Sequence, residues 1–145
     1  MDNLDTEKLR GGCLCGSVRF YINAGSRVRD IWVCHCTQCR KLSGYLYGAT
    51  ATALKNFFLE SDSSLTWYRS SDFAKRGFCN KCGSLLLYLA DNKEIISISA
   101  GALDQPTGLT VGMHIFTENC PDFYSIPDDN AIKYTYFPEH LTDKF

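Results

Sequence analysis

Apolar and polar side chains alternate along Ser17-Val18-Arg19-Phe20-Tyr21-Ile22, so that Val18, Phe20 and Ile22 share one face. A period of two marks a half-buried strand. Further strand-like runs are predicted at residues 31–33, 45–54, 57–60, 65–69, 74–79, 84–89, 95–100 and 113–117. Polar stretches such as Ser61-Asp62-Ser63-Ser64, Ser70-Ser71-Asp72 and Ala90-Asp91-Asn92 separate them as turns, in the spacing of an antiparallel all-β domain. One helix is predicted, over residues 38–43, ended by Gly44. Gly11-Gly12 is expected to turn the chain into its first cysteines, and Asp128-Asp129-Asn130 to form a turn among the breaks made by Pro121, Pro127 and Pro138. The pattern predicts a mainly β, small single domain over residues 11–137, with a polar leader at 1–10 and a tail at 138–145.

The size agrees, since 145 residues suit one hydrophobic core. A formal net charge of −1 argues against a sequence-independent nucleic-acid binder, which needs a cationic surface. The polar start Met1-Asp2-Asn3-Leu4-Asp5 has no apolar signal region, and the longest apolar run, Leu85–Ala90, falls far short of the roughly 20 residues of a membrane span. A cytoplasmic protein is expected, with the nucleus compatible.

The eight cysteines change the picture most. Seven of them fall in tight groups, Cys13/Cys15, Cys34/Cys36/Cys39 and Cys79/Cys82. A disulfide framework gains most from bridges that close long loops, whereas a metal ion gains from neighbouring thiolates. Zinc is favoured over an iron–sulfur cluster because the common ferredoxin spacings are absent. A structural zinc site takes four protein ligands and a catalytic one takes three with an open position. Cys34, Cys36 and Cys39 can direct three sulfurs at one ion, and the two pairs together make four. A second partition, Cys79/Cys82 with two of the central three, stays open at this level. Cys120 stands alone and reads as a small buried hydrophobe. His35 must point away from its cysteine neighbours in an extended loop, which favours a hydrogen-bonding role behind the ligands.

These residues form a pattern: Gly12-Cys-Leu-Cys-Gly-Ser-Val18, Cys34-His-Cys-Thr-Gln-Cys-Arg40, Arg76-Gly-Phe-Cys-Asn-Lys-Cys-Gly-Ser84 and His114-Ile-Phe116. It resembles the glutathione-dependent formaldehyde-activating enzyme family, also described as the centromere-protein-V type domain, over roughly residues 9–123. The resemblance implies a β-tent of coiled antiparallel sheets stapled by two zinc ions. Cys13, Cys15, Cys79 and Cys82 would hold the structural ion and Cys34, Cys36 and Cys39 the functional one. It implies a carbon–sulfur lyase that joins glutathione or a related thiol to an aldehyde, as in S-hydroxymethylglutathione, or runs in reverse. The alternative is a non-catalytic zinc-stabilised binding domain or a carrier of thiol adducts. One departure is Cys120-Pro-Asp-Phe123, where many members read Ala-Pro-Trp. Three thiolates around zinc carry a formal charge of −1, so such a site presents a thiolate more readily than it polarises a carbonyl. Glutathione is itself anionic, which makes Arg40, Lys41 and Arg76 candidates for its carboxylates and Arg40 the preferred one, with His114 as a further candidate substrate contact.

Overall fold

The computed structural model describes residues 8–141. Among the described residues are eleven strands and one α-helix: β1 (Leu9–Gly12), β2 (Arg19–Ile22), β3 (Ile31–Cys34), α1 (Thr37–Ser43), β4 (Tyr47–Ala53), β5 (Phe57–Ser61), β6 (Leu65–Ser71), β7 (Ala74–Cys79), β8 (Leu85–Ala90), β9 (Ile95–Ser99), β10 (Val111–Ile115) and β11 (Ile132–Lys133). A three-stranded sheet runs β1-β2-β5, and an eight-stranded sheet runs β11-β10-β3-β4-β9-β8-β7-β6. Pairing is antiparallel throughout except at β10, which lies parallel to both β3 and β11. The mainly β expectation holds, and the helix ends at the left-handed Gly44, whose N–H bonds back to Arg40 O.

One element was misjudged. Gly11-Gly12, expected as a turn, belongs to β1, whose residues pair with β2 from Leu9 opposite Ile22 to Gly12 opposite Arg19. Gly11 is there for close approach: a Cβ on it would stand 2.4 Å from Ala102 O and 2.6 Å from the Phe20 ring. Strand β1 therefore packs flat on the core, and Leu9 is buried in it. The leader and tail expected at 1–10 and 138–145 fall partly outside the described residues.

The core lies between the sheets. Val18, Phe20 and Ile22 have no exposed surface, and Leu86, Leu87, Ile96 and Ile98 meet them from β8 and β9. Burying each such side chain stabilises the fold by on the order of 1.5–3 kcal/mol. Both Leu86 and Leu87 point inward because the ladder shifts there: Gly77 faces Leu87 and Phe78 faces Leu85, leaving Leu86 as the extra residue of a bulge. Cys13 and Cys79 belong to this core, whereas Cys39 sits in a second small cluster with Tyr47 and Ala49.

Candidate functional site

The first cysteine cluster joins the two sheets. Cys13 and Cys15 lie on the loop between β1 and β2, and Cys79 ends β7 with Cys82 just beyond it. Their four Sγ atoms lie within 4.8 Å of one another, with Cys13 to Cys15 at 3.6 Å and Cys15 to Cys79 at 3.8 Å. Bonds of about 2.3 Å to a central zinc would place tetrahedral sulfurs about 3.8 Å apart, so this donor set fits the ion. In space the outer pairs meet each other, and the central three form a group of their own. Gly83 closes the second knuckle at φ +80°, its N–H bonding to Cys79 O at 2.8 Å. Polar donors surround the sulfurs. Val18 N–H donates to Cys13 Sγ at 3.2 Å, Ser84 Oγ lies 3.2 Å from Cys82 Sγ, and Ser64 Oγ lies 3.3 Å from Cys79 Sγ. The Ser84 hydroxyl, helped by backbone N–H groups, draws the Cys82 thiol down to about 5, the direction a ligand thiolate requires.

The second cluster is local in sequence. Cys34 ends β3, Cys36 caps α1 and Cys39 lies in its first turn, with all three Sγ atoms within 4.8 Å. Cys36 Sγ accepts the Cys39 N–H at 3.3 Å, the place usually taken by a Ser or Asp oxygen. Three thiols this close cannot all ionise alone. Hydrogen bonding with Cys34 and Cys39 lowers Cys36, while the same contacts push Cys34 up. A divalent cation would remove that conflict, so this donor set also fits a metal, with three protein sulfurs where the first cluster has four.

Behind the second cluster runs a buried polar chain. Tyr124 Oη lies 2.8 Å from His35 Nδ1, His35 Nε2 lies 2.9 Å from His114 Nδ1, and His114 Nε2 lies 2.8 Å from Asp129 Oδ2. Both rings are buried, and burial followed by the nearby His114 lowers the pKa of His35, keeping it neutral. The carboxylate fixes every proton. It must accept from His114 Nε2–H, which makes His114 Nδ1 an acceptor of His35 Nε2–H, which in turn leaves His35 Nδ1 to accept from the Tyr124 hydroxyl. His35 thus points away from the sulfurs, as the extended loop required. His114 has both ring nitrogens engaged and offers a ligand no free one. Sequence reasoning missed Tyr124 and Asp129, which lie in irregular segments with no periodic signal.

Two arginines flank the cluster. Arg40 follows Cys39, and its Nε is buried with no hydrogen-bond partner among the described residues. Arg76 is buried on β7 and donates to Gln38 Oε1 at 3.0 Å and Ser70 Oγ at 3.3 Å, with an Nη 3.6 Å from Cys39 Sγ. That position places it against sulfur, away from any solvent-borne carboxylate. Cys120 is half-buried, its Sγ directed at the carbonyls of Pro121 and Tyr124 and apart from both clusters. A groove of about 560 Å³ is lined by Cys13 and Leu14 near the first cluster and by Tyr47 and Leu85, which pack on the second, together with Arg19, Ser84 and Asp104. Tyr47 stands opposite Cys34 across the β3–β4 ladder.

Fold and site together define a small, mainly β protein with two cysteine clusters able to hold metal ions. The model of the glutathione-dependent formaldehyde-activating enzyme family matches residues 8–119, and the chain belongs to that family. An uncharacterised lyase of Schizosaccharomyces pombe is 26% identical over 123 residues, covering 84% of this chain and 88% of its own. The crystal structure of a Rhodobacter sphaeroides protein superposes with a TM-score of 0.51 at 19% identity, over 86% of this chain and 98% of that one, a likeness of fold.

Proposed function

We propose that the protein is a zinc-dependent carbon–sulfur lyase that makes or breaks the adduct of an aldehyde with glutathione or a related thiol, S-hydroxymethylglutathione being the simplest case. Cys13, Cys15, Cys79 and Cys82 hold a structural zinc in this reading, and Cys34, Cys36 and Cys39 hold a functional one. The observation that carries it is the inequality of the clusters, four sulfurs against three. The family description and the lyase name of the yeast relative support the class of reaction. Zinc held by three cysteines keeps one position at which a substrate thiol stays ionised at neutral pH.

The chemistry moves few atoms. A carbon–sulfur bond forms between thiol and aldehyde carbon while the thiol's proton passes to the carbonyl oxygen, and in reverse the hydroxyl proton leaves as that bond breaks. The protein's own part is placement. The groove has the volume of a small-molecule site, and although none of the three cysteines lines it, Tyr47 and Leu85 of its lining pack against them. Arg40, which directly follows Cys39, is assigned to a substrate carboxylate, and the His114–His35 chain holds the loop that carries Cys34 and Cys36. None of the eight cysteines is in a disulfide, and we place the protein in a reducing compartment, the cytoplasm.

Exchange spectroscopy on glutathione and formaldehyde tests the reading, because the uncatalysed adduct forms slowly enough to be compared with it. Exchange should be faster with protein than in buffer and should return to the buffer rate in Cys36→Ser. Equal rates with and without the wild-type protein would leave a binding or carrier role in its place.

A further inference from the structure

Arg76 is 5% exposed, yet no carboxylate pairs with it among the described residues. Its acceptors are the neutral Gln38 Oε1 and Ser70 Oγ, and its remaining neighbours are the Tyr88 ring, 5.0 Å from the guanidinium carbon, and Cys39 Sγ. By contrast, the ion pairs of Arg10 with Glu60, Arg19 with Asp104 and Arg69 with Asp91 lie at the surface. A guanidinium cannot shed its proton to escape the low-dielectric interior, so a buried one requires an anion. Burial pushes the Tyr88 phenol up and keeps it neutral, which leaves sulfur as the neighbour that readily becomes an anion.

We infer that Arg76 is the built-in counter-ion of the three-cysteine metal site, and that its charge, rather than its hydrogen-bonding shape, governs how that site holds its ion and a thiolate ligand. The inference rests on the assignment of Cys34, Cys36 and Cys39 as ligands. Three thiolates around a divalent cation leave one negative charge, which the guanidinium neutralises. An anionic ligand in the fourth position would then meet a neutral site, where it would otherwise be repelled by one negative charge. Arg76 is thus a positioning and electrostatic residue, whereas Arg40 is left to meet the substrate's outer charge.

The test compares Arg76→Gln, which keeps hydrogen-bonding capacity without charge, with Arg76→Lys, which keeps charge without the planar fork. Zinc affinity would be measured by competition with a chromophoric chelator. The affinity of cobalt-loaded protein for 2-mercaptoethanol would be followed through the sulfur-to-cobalt charge-transfer band. Gln should loosen one of the two ions by about 10- to 100-fold, the usual effect of removing a group behind a metal ligand, and should weaken thiol binding, while Lys restores most of both. Should the Gln protein fail to fold while the Lys protein folds and binds, the charge is again what matters. Equal behaviour of the two variants, whether both intact or both defective, overturns the proposal. No turnover enters these measurements. Wild type that binds as expected but accelerates no exchange refutes the lyase reading alone, whereas an active enzyme indifferent to Gln refutes the counter-ion alone.

Discussion

Serine in place of one ligand cysteine should have opposite consequences in the two clusters. The first cluster joins residues 13 and 15 to 79 and 82. An unfolded chain does not present those four sulfurs together, so the binding energy of the ion is folding energy, about 10–16 kcal/mol in zinc-finger peptides. That equals or exceeds the 5–15 kcal/mol net stability of an ordinary domain. Cys82 is only half-buried, so Cys82→Ser leaves packing nearly untouched and isolates the metal term. Losing even half of that term, about 5 kcal/mol, lowers Tm by on the order of 15–20 °C for a chain of this size. The second cluster lies within residues 34–39, and an unfolded chain can still gather its three thiols and His35 around an ion, which cancels most of the linkage to folding. Serine is also a good N-cap, so Cys36→Ser retains the bond from Cys39 N–H and should change stability by less than about 1 kcal/mol. Thermal melts by circular dichroism, with zinc counted by mass spectrometry, read both effects. A Cys36→Ser protein that melts as low as Cys82→Ser, or a Cys82→Ser protein that melts like wild type, would refute the division into a structural and a functional site.

Three further outcomes follow. Chelation by EDTA should release zinc in two kinetic phases, the fast one from Cys34, Cys36 and Cys39 with the β-sheet circular dichroism intact, and the slow one accompanied by unfolding; a single phase would contradict unequal sites. Gly83→Ala meets no atom within 4 Å of the new Cβ, so its effect is that of the +80° φ alone, a loss of about 1–2 kcal/mol by urea titration together with weaker retention of the first ion. Asp129 is held below the usual carboxylate range by the hydrogen bond from His114, so its contribution is present at neutral pH and is lost as pH falls through that lowered value. Wild type should therefore exceed Asp129→Asn in stability at pH 7 and converge on it in acid, and a gap independent of pH would show that the carboxylate charge plays no part.

The sequence made the local features legible. Alternation placed Val18, Phe20 and Ile22 on one buried face, Gly44 ended α1 where expected, and the cysteine groups divided into four and three. What it hid depends on contacts between distant residues. Strand β1 was lost because glycines serve close packing as well as turns, and only the Phe20 ring and Ala102 O across from Gly11 tell which. The parallel placement of β10 beside β3 and the bulge at Leu86 are matters of register, for which a single strand carries no mark. Arg76 looked like any arginine before a cysteine pair, since its partner Gln38 is 38 positions away. Tyr124 and Asp129 lie beyond the stretch shared with the family, so even the resemblance gave no reason to choose them.

The segment from Arg76 to Leu85 ties the two clusters together, and it does so in one direction. Cys79 and Cys82 close the first site, Ser84 Oγ accepts the Leu14 N–H at 3.1 Å, and Leu85 packs against the second cluster. Arg76 reaches Cys39 from the same strand, three residues before Cys79. An ion in the first site therefore anchors the end of β7 and, through it, the cation beside the second. The reverse does not hold, because α1 meets β7 at Arg76, three residues short of Cys79, and the loss of its cluster leaves the Cys79 knuckle and its bonds to Ser64 and Ser84 in place. Cys82→Ser should accordingly weaken both sites, and Cys36→Ser only its own. Zinc titration of the two proteins in mild urea, where each still holds some structure, would show this asymmetry as two losses against one. Losses of equal number in the two variants would mean that the clusters are energetically independent despite the shared strand.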